Sequence, residues 1–118
     1  YNVNVKIFII NNQGYGLIKQ TQETWLNSEY SGVDKKSGLS LPNFISVAKA
    51  YKIKTMELKQ NSNLKSKISE ALKIKGPLII NVLVNPKARV KPKIEFGKPL
   101  HDMSPPLKRE LLNSIMKI

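Results

Sequence analysis

Hydrophobic residues along this chain follow two patterns. Val5-Lys6-Ile7-Phe8-Ile9-Ile10 and Leu78-Ile79-Ile80-Asn81-Val82-Leu83-Val84 are nearly continuous apolar runs. Short β-branched runs of this kind suit strands covered on both faces, as in the middle of a parallel sheet. They predict strands over 3–10 and 78–84. Between Lys54 and Lys59 the pattern becomes alternating, with Met56 and Leu58 set against Thr55, Glu57 and Lys59. That predicts a third, short strand.

Helical spacing fills the gaps. Leu17, Thr21 and Trp25 lie four apart and predict a helix from 17 to about 26. Phe44, Val47, Ala48 and Tyr51 predict a helix ending near Lys52, with Pro42 in its first turn and Ser40 as its cap. Leu64, Ile68, Ala71 and Leu72 fall on one face of a helix that begins at Asn61 or Ser62. Lys73 and Lys75 suit its negative end, and Gly76-Pro77 stops it. Residues 11–16 and 27–41 are polar and glycine-punctuated, hence loops. From 85 to 106 the chain is rich in Pro and Lys and reads as extended, with a last short helix over 107–116.

The order is β-α-loop-α-β-α-β-tail. It implies an α/β fold, part of a doubly wound parallel sheet with flanking helices and right-handed crossovers. Three strands make half of such a sheet, and the chain begins directly on a core strand without Met. The expectation is the C-terminal piece of a larger protein, with the sheet in 1–86 and an extended tail with a short helix in 87–118. A stand-alone small domain is the other reading.

Composition narrows the function classes. The absence of cysteine excludes a disulfide scaffold, a thiolate zinc site and a Cys nucleophile, and it fits a reducing compartment. No apolar run approaches the roughly 20 residues that span a bilayer, and the first residues lack a signal peptide's basic region. A soluble cytoplasmic protein with no membrane partner is expected. The net charge of +12 and pI of about 10.0 point toward nucleic acid or an anionic surface. Yet all the basic residues except Arg89 and Arg109 are lysines, spread through every segment. Phosphate and base recognition favours the planar fork of Arg. A solvated lysine-rich surface is the weightier reading. A small basic module for nucleic acid or an acidic partner stays as the alternative.

The first strand ends in Asn11-Asn12-Gln13-Gly14-Tyr15-Gly16, just before a helix. Ligands of open parallel sheets bind beyond the carboxyl ends of strands, and helix N-termini favour anions such as phosphate. Asn side-chain oxygens and backbone carbonyls are ligands that Mg²⁺ or Ca²⁺ takes. No Asp or Glu lies in the loop, so a metal site within it is incomplete. An ordinary Asx-type turn, with glycines absorbing the geometry, explains the same residues. Both readings stay open on the loop alone.

The stretch VKIFIINNQGYGLIKQTQ resembles the second half of the thiamine-diphosphate motif, in which an Asn-Asn pair ends a strand after an upstream Gly-Asp-Gly turn. GVDKKSGLSLPNFISVAKAYKIKT, GPLIINVLVNP and HDMSPPLKREL resemble, in register, later segments of acetolactate-synthase-like enzymes. The resemblance spans nearly the whole chain. It implies the C-terminal half of the pyrophosphate-binding domain of a thiamine-diphosphate-dependent 2-oxo acid decarboxylase or carboligase, acting on a pyruvate-like substrate. It also implies a homodimer or homotetramer, because such sites form between two chains. Asn12 would supply a metal-ligand amide and Gly14 a carbonyl ligand to Mg²⁺, which bridges the cofactor diphosphate. Asn11 would close the strand, and Tyr15, Gly16, Leu17 and Ile18 would pass close to the cofactor.

Ile18 stands where simple decarboxylases of the family carry a proton-transferring Glu. The resemblance makes it the carboligase choice, an apolar wall that disfavours protonation; plain helix packing is the competing reading. The Gly-Asp-Gly half and the family's activating Glu are not in this chain, so it should be inactive alone, and no catalytic residue is assigned. A degenerate, non-catalytic homologue is a further reading. His101, the one histidine, is expected to be solvent-exposed; contact with substrate by His101 and Asp102 is the other reading. Arg89 and Arg109 are candidates to pair with Asp102 or Glu110, and Trp25 and Tyr30 are read as core or lid packing.

Overall fold

The computed structural model of the chain describes residues 3–59 and 63–117. Two units divide it, Tyr1–Ala88 and Arg89–Ile118. In the first, strands β1 (Lys6–Asn11), β2 (Lys54–Lys59) and β3 (Leu78–Leu83) form one parallel sheet in the order β1-β3-β2. Helices α1 (Gly16–Trp25), α2 (Phe44–Ala50) and α3 (Leu64–Lys73) alternate with them. This is the α/β arrangement expected.

The middle position belongs to β3, which is paired along its whole length on both sides. Its residues Leu78, Ile80 and Asn81 are buried. The other apolar run, β1, has β3 on one side and no partner on the other among the described residues. Ile7 and Ile10 on it are exposed, at 48% and 65%. β1 starts at Lys6 rather than Val3 and takes in Asn11, because pairing with Leu78–Leu83 sets its ends.

Register divides the side chains between two faces. Phe8, Met56 and Ile80 are level, as are Ile10, Leu58 and Val82. On this face Leu58, Leu78 and Ile80 pack with Ala71 of α3 into the core, flanked by Met56, Ile68, Ile74 and Val82. Burying each Leu or Ile contributes about 1.5–3 kcal/mol. α3 presents Ile68 and Ala71 inward and leaves Leu72 exposed. The expected four-residue apolar face is therefore narrower, because the small Ala71 sits at the contact and Leu72 falls beside it. The expected start of this helix, at Asn61 or Ser62, lies outside the described residues.

The opposite face carries Thr55, Glu57, Asn81, Leu83 and Asn11, and α2 lies against β2 and β3 there. α2 starts at Phe44 and is capped by Asn43, whose Oδ1 accepts from Ser46 N–H at 2.9 Å. Neither Ser40 nor Pro42 has the role expected. Asn is among the best caps and lies directly before the first helical residue, leaving Pro42 outside the helix. Ala48 faces the sheet, whereas Val47 and Tyr51 face away.

The long loop after α1 contains one 3₁₀ turn, Lys35–Ser37. In the second unit, helix α4 (Arg109–Ile115) follows a loop closed by paired backbone bonds between Lys93 and Ser104, at 2.7 and 2.8 Å. Arg109 donates to Asp102 Oδ2 at 2.9 Å, one of the pairings expected. The guanidinium holds the Asp102 carboxyl below the usual carboxylate range. His101 is exposed.

Candidate cofactor-binding loop

Loop 11–16 leaves the carboxyl end of β1 and enters α1. Two consecutive amide side chains fold it. Asn11 Oδ1 accepts from Gln13 N–H at 2.9 Å, and Asn12 Oδ1 accepts from Gly14 N–H at 3.2 Å. These are overlapping Asx-turns. They hold Gln13 at φ 61°, a left-handed conformation that costs a side-chain-bearing residue about 1–2 kcal/mol.

The two glycines answer to different neighbours. A Cβ on Gly14 would lie 2.3 Å from the backbone oxygen of Val33. A Cβ on Gly16 would lie 2.5 Å from Asn12 Nδ2. Within this chain, then, the small residue at 16 makes room for the loop's own amide.

Asn11 is also tied into the sheet. Its Nδ2 donates to Asn81 Oδ1 at 3.1 Å, and Asn81 Nδ2 donates to Glu57 Oε2 at 3.4 Å. The chain of contacts runs from β2 through β3 to the loop. Sequence reasoning missed it, although a lone Asn inside LIINVLV is the kind of buried polar residue that needs partners. It also missed Asp34, whose Oδ2 accepts from Lys19 Nζ at 2.6 Å and whose Oδ1 accepts from Ser37 N–H and Oγ–H at 3.0 and 2.9 Å. Lys19 and then Ser37 hold the Asp34 carboxyl down at about 2. Asp34 three residues before Ser37 is a capping-box spacing readable in the sequence.

Asn12 and Gly14 thus lie together at the turn, with Gly16 opening the helix. Tyr15, Leu17 and Ile18 are more than half exposed. Packing within this chain therefore does not account for Ile18. Trp25 and Tyr30 are likewise exposed rather than core residues; Tyr30 donates to Glu23 Oε1 at 3.0 Å, and Lys19 Nζ lies 4.6 Å from its ring centre.

The chemistry of the loop suits a phosphorylated ligand. The α1 N-terminus has no side-chain cap from Tyr15 and no acidic residue in its first turn, which leaves its N–H dipoles to an anion. The Asn12 amide oxygen and the Gly14 carbonyl are neutral hard donors of the class Mg²⁺ accepts, but a Mg²⁺ site ordinarily adds a carboxylate. Among the described residues no group of three or more His, Cys, Asp or Glu gathers to hold a metal. These donors fit part of such a site.

Comparison with known proteins decides the family. The thiamine pyrophosphate enzyme C-terminal TPP binding domain matches residues 1–82. The chain belongs to this family. It is 36% identical over 101 residues to a mitochondrial acetolactate synthase of Schizosaccharomyces pombe, covering 86% of this chain and 14% of that protein. It is 34% identical over 98 residues to the acetolactate synthase large subunit of Cyanidium caldarium, covering 83% and 16%. The mitochondrial catalytic subunit of the Saccharomyces cerevisiae acetolactate synthase is 32% identical over 98 residues, covering 83% and 14%. The chain thus spans about one-seventh of the length of these relatives. Among its described residues no helix is long and apolar enough to cross a membrane.

Proposed function

We propose that loop 11–16 holds the diphosphate of thiamine diphosphate and part of the coordination of its Mg²⁺, within an acetolactate-synthase-like enzyme. The observation that carries this reading is the loop's position. In a chain of the TPP-binding family, it joins the carboxyl end of a parallel strand to an uncapped helix N-terminus. Asn12 Oδ1 and the Gly14 carbonyl are the metal donors. Tyr15, Gly16, Leu17 and Ile18 would line the cofactor, and the first-turn N–H groups of α1 would hold its phosphates.

When bound, the cofactor supplies the nucleophilic carbon and electron sink for cleaving a 2-oxo acid. This chain's residues bind and orient it. Ile18 would place an apolar side chain with no transferable proton beside it, a surrounding that disfavours protonation. The parent enzyme acts on a pyruvate-like substrate as a homodimer or homotetramer, in the cytoplasm. The isolated chain is inactive, since a carboxylate ligand and an activating Glu must come from elsewhere.

The test is CO₂ release from pyruvate by the full-length protein, stripped with a chelator and then resupplied. Activity that needs both thiamine diphosphate and Mg²⁺, and disappears with Asn12→Ala, supports the reading. Activity indifferent to both, or none on any 2-oxo acid in their presence, refutes it.

A further inference from the structure

The loop after α1 returns to the cofactor turn. Gly14 and Asp34 form an isolated antiparallel bridge, and Tyr15 N–H donates to Val33 O at 2.9 Å. Val33 is 1% exposed. The carbonyl that receives this bond is the one that a Cβ on Gly14 would strike. One short segment, 33–34, therefore fixes the backbone on both sides of the Gly14 carbonyl.

What holds this segment in place is Asp34. Its two carboxylate oxygens are divided between two tasks. Oδ1 locks the following turn through Ser37, whose Oγ in turn accepts from the N–H groups of Val33 and Asp34 at 3.0 and 2.9 Å. Oδ2 ties the turn to α1 through Lys19, at 2.6 Å. Both side chains of this ion pair are only about a quarter exposed, at 23% and 24%. Lys19 is also fixed along its own helix, its N–H bonded to Tyr15 O at 2.9 Å.

We infer that Lys19 and Asp34 are a positioning pair for the cofactor loop. They press segment 33–34 onto Gly14 and so set the peptide whose carbonyl serves the cation. This inference rests on the function proposed above. Neither residue touches the cofactor; each acts through Val33 and Gly14.

The experiment compares full-length wild type with Lys19→Met, Lys19→Arg and Asp34→Asn. Asparagine is as good a helix cap as aspartate, so Asp34→Asn keeps the turn and removes only the charge. Two readouts are taken. One is amide hydrogen exchange of peptides covering 14–16 without cofactor. The other is the half-saturating concentration of thiamine diphosphate at fixed Mg²⁺, separated from kcat.

Lys19→Met and Asp34→Asn should both speed exchange at 14–16 and raise half-saturation about tenfold, the usual size for an outer-shell partner. kcat at saturation should stay within about twofold of wild type, and Lys19→Arg, which keeps a cationic donor for Asp34 Oδ2, should leave both readouts near wild type. A rise in Lys19→Met but not in Asp34→Asn would mean direct contact of Lys19 with the diphosphate and would overturn the assignment. Unchanged exchange in a cofactor-dependent enzyme would overturn it alone. A wild type indifferent to thiamine diphosphate would overturn the proposed function, and this assignment with it.

Discussion

Asn11 donates through Nδ2 to Asn81 Oδ1 across 3.1 Å, joining the last residue of β1 to a buried residue of the central strand β3. The direction of this bond is imposed from β2, the strand beyond β3. A carboxylate only accepts, so Glu57 draws the Asn81 NH₂ toward itself and leaves the Asn81 oxygen facing Asn11. Asn11 must then offer its own NH₂, and its oxygen stays free to accept from Gln13 N–H. The shape of the candidate site is set in part by a residue two strands away.

Asn81→Leu is expected to cost about 1–3 kcal/mol, because it leaves the Asn11 amide without its acceptor. Asn81→Asp should be at least as damaging, since it sets a second carboxylate against Glu57. Chemical denaturation of each variant checks both, and a Leu variant as stable as wild type would count against this chain of contacts.

The two glycines should separate stability from binding. Gly14→Ala meets a backbone carbonyl and should cost about 1–3 kcal/mol of stability, the usual size for overpacking. Gly16→Ala meets only the Asn12 side chain, which can turn aside by giving up its bond to Gly14 N–H. Its stability should therefore fall by less, about 0.5–1.5 kcal/mol, while thiamine diphosphate affinity falls. Thermal melts paired with cofactor titrations read the difference.

Ile18→Glu tests the apolar wall. The site is more than half exposed within this chain, so stability should move by less than about 0.5 kcal/mol. Product analysis should find the balance shifted from the two-substrate product toward the simple aldehyde. An unchanged product ratio would remove Ile18 from the site.

Asp102 and Arg109 make a pH-dependent tie inside the second unit. Its carboxyl is depressed below its ordinary value, so the tie stabilises above the ordinary carboxylate range and is lost as pH falls through the depressed value. The stability difference between wild type and Arg109→Gln should be constant near neutrality and close at acid pH. Melting curves across pH 2–7 give the answer, and a difference that persists at the acid end would contradict it.

The sequence by itself determined the local features: where strands and helices fall, that the sheet is parallel, and that an Asn-Asn-Gly turn stands at a strand's carboxyl end. Each of these follows from period, apolar run length and turn chemistry, which act over a few residues. Alternation marks β2 at its observed ends, Lys54–Lys59, directly. Which apolar run becomes the centre was not legible, because Ile7–Ile10 and Leu78–Leu83 are both long enough and apolar enough for a covered strand. Only pairing puts β3 in the middle and β1 at its side. The cap of α2 moved from Ser40 to Asn43 because backbone geometry, not composition, selects among neighbouring capping residues. The long-range pairings that support the candidate site depended on tertiary structure. Asn81 lies 70 residues from Asn11 and Asp34 lies 15 from Lys19, and no periodicity reaches across such separations; hydrogen bonds need atoms brought within about 3 Å, which only the folded sheet and its returning loop achieve.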